Sequence, residues 1–277
     1  MEARTPVEIL SYVSDIGIAK TQRRTFVVLI MAFFAGVFIS FAAGGSTMAA
    51  FNLFADGDTY GLGRTLAGVL FGTGLILVII TGGELFTGNT LLIVPVLDRK
   101  ITVRKMLLNW LLVYFGNFAG GLCIAFLMYE TGLFNRSEGL LGGIVIKIAA
   151  GKTALPFHSA LILGIFCNWL VCLAIWVSNG ARDVAGKVLV IFPVIGLFVI
   201  SGFEHSIANM YYIPAGILAK QNPQWLEMSK LAADQIAGLN WLSFFTKNLI
   251  PVTLGNIIGG MVLVGMAYWF TLRKKTL

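Results

Sequence analysis

The sequence predicts an all-α membrane protein whose six transmembrane helices form a three-plus-three inverted repeat, the second and fifth of them broken. Three observations carry this. Of 277 residues, 57% are hydrophobic and 12% charged, against about 25% charged in soluble domains, and the mean hydropathy is +0.86. Too few solvated side chains remain to cover a water-exposed surface, which excludes a soluble enzyme. Six stretches match the bilayer ruler of about 20 apolar residues, and pairs of them resemble one another at fixed offsets. The 32 Gly and 7 Pro are neither periodic nor gathered in linkers, which excludes collagen and disorder and suits closely packed membrane helices.

Residues 1–25 read as a cytoplasmic amphipathic segment. Thr5-Pro6 looks like an N-cap followed by proline at the first helical position. Ile9, Val13 and Ile16 follow at helical spacing, with Glu8, Asp15 and Lys20 on other faces, predicting a short helix over residues 6–20 at the membrane surface. The first long apolar run starts only at Phe26, after acidic as well as basic residues, so no cleaved signal peptide is expected.

The transmembrane domain is residues 26–277, with repeat one at 26–130 and repeat two at 157–272. Its spans are Phe26 to Ala50, Thr65 to Val96, Met106 to Tyr129, Phe157 to Ser178, Val188 to Leu218 and Asn248 to Leu272. The second and fifth are too long for one plain helix. Each is interrupted, at Thr81-Gly82-Gly83-Glu84 and at Ser201-Gly202-Phe203-Glu204-His205, so Gly82, Glu84 and Gly202 mark the breaks. Of the 20 Lys and Arg, 13 fall on the termini and the loops near 98–105 and 179–187, which places both termini in the cytoplasm. The net charge of +7 is therefore topology rather than affinity for nucleic acid. Cys123, Cys167 and Cys172 lie inside apolar runs without metal-like spacing and read as reduced packing residues. No metal or cofactor is expected.

The repeat is visible at an offset of 120, where Leu77, Ile80, Gly82, Glu84, Asn89 and Ile93 fall on Leu197, Ile200, Gly202, Glu204, Asn209 and Ile213. At an offset of 139, Asn109, Val113, Gly116, Asn117, Gly120 and Gly121 fall on Asn248, Val252, Gly255, Asn256, Gly259 and Gly260. The first and fourth spans agree weakly through Gly36-Val37-Phe38 and Gly164-Ile165-Phe166. Each copy holds three spans, so the second enters the membrane from the opposite side, a plan in which broken helices meet near the midplane and line a site. Unwound backbone at that depth needs protein or a wet cavity around it.

His205 is the histidine inside an apolar span, and an intramembrane ionisable group is by default a functional candidate. Glu84 and Glu204 are expected to accept bonds from amides freed at the breaks, or to meet solute. Asn168, Asn209 and Asn256 either bond the imidazole and the breaks or glue helices together. His158 reads as interfacial. A neutral-solute pore of aquaporin type shares the repeat plan, but the Asn-Pro-Ala pair is replaced by Gly88-Asn89-Thr90 and Ala208-Asn209-Met210. An intramembrane enzyme lacks a metal cluster or nucleophile pair.

The run Ile80-Thr81-Gly82-Gly83-Glu84-Leu85-Phe86-Thr87-Gly88 resembles one signature of the formate/nitrite transporter family, and Gly164-Ile165-Phe166-Cys167-Asn168-Trp169-Leu170-Val171-Cys172-Leu173-Ala174 the other. Gly202-Phe203-Glu204-His205-Ser206-Ile207-Ala208-Asn209-Met210 resembles its central-histidine segment. The resemblance implies an aquaporin-like fold and a homopentamer in a bacterial inner membrane, each protomer with its own pore for small monovalent anions. By matching position, Leu85 and Phe86 would narrow the pore on the outer side and Phe71, Leu75 and Phe198 on the cytoplasmic side. His205 and Thr87 would face a chamber between them, grouped with Glu204, Asn209, Asn168 and Asn256, and Lys152 would supply positive potential at the outer vestibule. Gly82-Gly83-Glu84 departs from the Ala-Asp pair of formate channels, and the hydrosulfide branch is the expected match, ahead of formate and nitrite.

Overall fold

The computed structural model describes residues 2–273; Lys274 and Lys275, counted with the basic C-terminal end, lie outside the described residues. Helix α1 (Pro6–Gln22) starts on a capping box. The Thr5 hydroxyl accepts the Glu8 amide at 3.4 Å, and Glu8 accepts the Thr5 amide at 2.7 Å. The Thr5 amide and the Thr5 hydroxyl, both donated to Glu8 Oε2, hold the exposed Glu8 carboxyl below the usual carboxylate range.

After α1 come α2 (Thr25–Phe54), α3 (Tyr60–Thr81), α4 (Phe86–Leu97), α5 (Val103–Glu130), α6 (Leu140–Thr153) and α7 (Phe157–Gly180). Then follow α8 (Val184–Ile200), α9 (Ser206–Ala219), the short α10 (Pro223–Ser229) and α11 (Ala233–Gly238), and α12 (Trp241–Leu272). The described residues contain no strand. Helices α2, α3, α5, α7 and α12 are each long and apolar enough to cross a membrane, while α4 and α8 are shorter apolar helices. The chain is thus an all-helical, multi-pass membrane protein. Five helices meet the length criterion rather than six, because residues 188–218 are divided between α8 and α9; residues 65–96 are likewise divided between α3 and α4, but α3 alone is long enough to count.

One expectation needs correction, and one element was not expected at all. The apolar face of α1 does not lie at the bilayer surface: Ile9, Leu10, Val13 and Gly17 are buried, with Gly17 against Leu92 and Pro95 of α4. Ser14 Oγ donates to Asp98 Oδ2 at 2.8 Å, so α1 docks on the bundle. Helix α6 is the other surprise. Its 14 residues fall below the length that marks a span, so the sequence leaves residues 130–156 unassigned.

Lipid is as apolar as leucine, so membrane helices associate through close packing, and here glycine permits it. A Cβ on Gly120 would strike the Phe33 carbonyl, and one on Gly116 the Ala32 Cβ, closing α5 onto α2. In the same way Gly259 faces the Ile165 carbonyl and Gly255 the Leu161 carbonyl, closing α12 onto α7. These contacts place α2 and α7 in register at an offset of 132. The match of Gly36 with Gly164 is therefore one helical turn out, and Asn168 occupies the place of Gly36. Local composition misleads because both helices are rich in Gly, Phe and Ile at helical spacing.

Gly120→Ala and Gly259→Ala each force two helix backbones apart, an overpacking cost of about 1–3 kcal/mol. The thermal midpoint of the detergent-purified protein is expected to fall in both, and not in Gly61→Ala, where an added Cβ meets no atom within 4 Å. Equal midpoints for all three would dismiss the close-packing account.

Candidate functional site

Helix α3 ends on Gly82 and α8 is followed by Gly202, whose φ values of 77° and 76° lie in the left-handed region that glycine enters without penalty. From there the same bonds recur 120 residues apart. The Gly83 amide turns back to the Val78 carbonyl at 2.8 Å and Phe203 to Phe198 at 3.2 Å. The next amides cross to neighbouring helices, Glu84 to the Met31 carbonyl at 3.2 Å and Glu204 to Leu163 at 3.3 Å. Where the chain turns helical again, the Phe86 amide donates to Asn117 Oδ1 and the Ser206 amide to Asn256 Oδ1, both at 2.9 Å. Asn117 Nδ2 donates to the Ala32 and Glu84 carbonyls at 2.7 and 2.8 Å. Asn256 Nδ2 donates to those of Gly164 and Glu204 at 2.8 and 3.0 Å.

The two glutamate side chains therefore do not receive the freed amides, contrary to the sequence expectation. Glu84 pairs with Arg23 at 2.6 Å and Lys20 at 3.0 Å and accepts Asn89 Nδ2 at 2.8 Å. Glu204 pairs with Lys152 at 2.7 Å and accepts Asn209 Nδ2 at 2.7 Å and Asn248 Nδ2 at 3.1 Å. Lys20 ends α1 and Lys152 ends α6, 132 residues apart, the same register as α2 and α7. Lys20 also donates to Asn89 Oδ1, whereas Asn209 Oδ1 has no partner among the described residues. An arginine caps each outgoing helix, Arg23 at the Gly82 carbonyl and Arg64 at that of Val199, where a cation complements the helix dipole.

His205 is the N-cap of α9. Its Nδ1 accepts the Ala208 amide at 3.1 Å and its Nε2 lies 3.0 Å from Thr87 Oγ1. A backbone amide can only donate, so Nδ1 is unprotonated. The proton of the neutral ring sits on Nε2, which donates to the Thr87 hydroxyl and leaves that hydroxyl's own proton free. Asn168 Nδ2 holds the Thr87 carbonyl and Thr90 Oγ1, each at 3.2 Å, and the Asn256 carbonyl at 2.6 Å.

Two cavities approach this pair from opposite ends. The one beside α1, of about 200 Å³, has Lys20, Arg23, Lys187, Leu75, Val78 and Leu85 in its wall. The other, of about 750 Å³, has Arg64, Lys147, Lys152, Phe71, Phe198 and His205. The expected grouping of constrictions changes: Leu85 shares the cavity beside α1 with Leu75, and Phe71 and Phe198 share the one that holds Lys152. Leu75 parts from Phe71 because one helical turn of α3 separates them along the pore. Phe71 and Phe198 meet edge to face with centroids 5.4 Å apart, and Phe198 stands 6.1 Å from the His205 ring. Phe86 narrows neither cavity; it packs on Trp110 and Tyr114 at 5.9 and 4.9 Å. Of the polar residues expected around the chamber, Asn209 and Glu204 join His205 in the larger wall. Thr87, Asn168 and Asn256 are fully buried behind it. His158 is exposed in the first turn of α7. Among the described residues no three His, Cys, Asp or Glu side chains gather as metal ligands. The sequence reading missed Lys20, Arg23 and Arg64 as site residues; carrying the 132 offset upstream would have found Lys20 opposite Lys152, and no signal of this kind marks Arg64.

Comparison with known proteins agrees with this architecture. The formate/nitrite transporter family matches residues 7–270. The formate channel FocA of Haemophilus influenzae is 37% identical over 272 residues, covering 95% of this chain and 93% of its own. The formate channel BtFdhC of Bacillus thuringiensis is 35% identical over 277 residues, covering 99% and 98%. A solved structure described as a pentameric formate channel with formate bound superposes with a TM-score of 0.80 at 40% identity, covering 89% of this chain and 97% of that one. These relatives are channels rather than enzymes, and they are named for formate rather than hydrosulfide.

Asn117→Leu and Asn256→Leu each strip one amide and two carbonyls of their partner inside the bundle. An unpaired buried polar group costs about 1–3 kcal/mol, so both variants are expected to lower the thermal midpoint and broaden the gel-filtration profile. A wild-type midpoint in either would show that the break is held by other groups.

Proposed function

Because the chain belongs to the formate/nitrite transporter family, we propose that it is a pore for small monovalent anions of weak acids, with formate its first substrate. The observation that carries this is the hydrogen-bonded His205–Thr87 pair at the inner end of a cavity walled by Arg64, Lys147 and Lys152. Formate ranks ahead of hydrosulfide and nitrite because its relatives are formate channels. The Gly82-Gly83-Glu84 departure concerns the turn of the break and an ion pair with α1, not the histidine end of the pore.

The plan is a three-plus-three inverted repeat whose second and fifth spans are broken at Gly82 and Gly202, supported by the matched bonds at the two breaks. The domain lines 1–25 and 26–277, and the repeats 26–130 and 157–272, are better extended to take α1 and α6 as counterparts, since Lys20 and Lys152 make the same contact. The protomers assemble as a homopentamer, in line with the structural relative, in a bacterial inner membrane with both termini in the cytoplasm, in line with the basic loops.

In mechanism, cations at both mouths raise the local anion concentration. A bare anion crossing Phe71 and Phe198, or Leu75 and Leu85, would face a desolvation cost that one hydrogen bond does not return. The pair His205–Thr87 offers that hydrogen bond through the Thr87 hydroxyl, whose proton the neutral ring leaves free. A proton loan from His205 has a structural cost, because a proton on Nδ1 displaces the Ala208 amide and uncaps α9. The anion takes the Thr87 hydroxyl proton while Thr87 takes that of His205 Nε2 and Nδ1 takes one from water, so the ring ends neutral; the solute crosses the apolar rings as its small neutral acid and returns the proton to water in the far vestibule.

Protein in liposomes, followed by stopped flow with formate, nitrite, hydrosulfide and glycerol at two pH values, is expected to pass the anions and exclude glycerol. Glycerol flux without anion flux overturns the reading. His205→Asn keeps an acceptor for the Ala208 amide but cannot titrate, so it is expected to flatten the pH dependence of flux while leaving stability nearly unchanged. His205→Phe loses the cap as well, at about 1 kcal/mol. An unaltered pH profile in His205→Asn removes the ring from the proton step.

A further inference from the structure

The cations around the two breaks differ in one respect that the pore reading does not use. Lys20 and Arg23 both lie on Glu84, and Lys152 lies on Glu204. Arg64 makes no ion pair with a described residue, although Asp56 and Glu204 share its cavity. Its guanidinium is anchored instead by the Val199 carbonyl at the end of α8, and it lies over Gly202, where a Cβ would stand 3.5 Å from Nη2. One of its five N–H donors is spent there and the rest of the fork is uncommitted. Arg64, Gly68 and Phe71 follow at helical spacing along one face of α3. At a rise of about 1.5 Å per residue, Arg64 therefore sits roughly 10 Å outward of Phe71 on the same line.

We propose that Arg64 is a specificity-determining residue: it forms an anion site in the larger cavity that captures flat, two-oxygen anions such as formate and orients them ahead of the Phe71–Phe198 ring pair. A guanidinium presents two parallel N–H donors matched to a carboxylate, where an ammonium is a point charge. A compact anion such as hydrosulfide cannot span the fork. Lys147 shares the wall but is exposed and has no such shape. At the other break, Arg23 has the same carbonyl-capping role, but its Nη1 is also ion-paired with Glu84, whose charge offsets it, so the selecting site is placed at one mouth only.

This inference rests on the anion-pore reading, and the experiment separates the two. Formate and hydrosulfide fluxes are titrated in liposomes for the wild type, Arg64→Lys and Arg64→Gln, with thermal midpoints recorded alongside. Arg64→Lys keeps the charge and a donor for the Val199 carbonyl, so the fold is retained. Its half-saturating formate concentration is expected to rise about three- to tenfold, with maximal flux and hydrosulfide half-saturation nearly unchanged. Arg64→Gln is expected to raise both half-saturation values, formate the more. An equal shift for the two anions in Arg64→Lys, or none for either, overturns the proposal while leaving the pore reading intact. Absence of anion flux in the wild type removes both.

Discussion

Backbone amides released inside a bilayer are the constraint on which the rest of this structure depends. A break in a membrane helix frees donors that lipid cannot accept and that water does not reach. Here one asparagine per break resolves the problem. Asn117 and Asn256 each take one amide and hold two carbonyls, and those carbonyls belong both to the break and to a neighbouring long helix. The asparagines can reach only if the helices that carry them lie very close to α2 and α7, and the glycine crossings provide that closeness. Packing and polar satisfaction are therefore one requirement seen from two sides.

The buried carboxylates set a second layer on this frame. Glu84 is fully buried and Glu204 nearly so, and a buried charge is tolerable only with its partner and its remaining hydrogen bonds in place. Removing one partner of such a pair typically costs about 3–5 kcal/mol. The partners come from α1 and α6, so the ion pairs tie those helices across the mouths. The same lysines that neutralise the glutamates also stand in the cavity walls. The charge that balances the glutamates and the charge in the cavity walls are carried by the same residues.

On a matched frame the linings are unmatched. At an offset of 120, Leu85 corresponds to His205, Val78 to Phe198 and Phe71 to Ile191. The break beside α1 presents an aliphatic wall; the other presents aromatic rings and an imidazole. The frame holds two turns open, and the chemistry is carried by what differs between them, since folds host sites rather than define them. The neutral state of His205 follows from the frame as well, because its Nδ1 is committed to starting α9.

Much of this was legible in the chain itself. Composition and span length establish a membrane protein, and the 120 and 139 offsets locate both breaks, their glycines and their asparagines, because helix breaking and backbone satisfaction are local demands that leave local residues. What remained hidden needed distance. Glu84 and Glu204 have partners 64 and 52 residues away, and the assignment of Phe71, Leu75 and Leu85 to one mouth or the other depends on how far along the pore each cavity reaches. The place of Gly36 was misread by one turn because a stripe of small residues repeats every turn and cannot fix its own register. The sequence by itself determined that the chain crosses a membrane and where its helices break. Only the tertiary structure decided which cation meets which carboxylate and which side chain faces which cavity, since both depend on contacts between helices far apart in the chain.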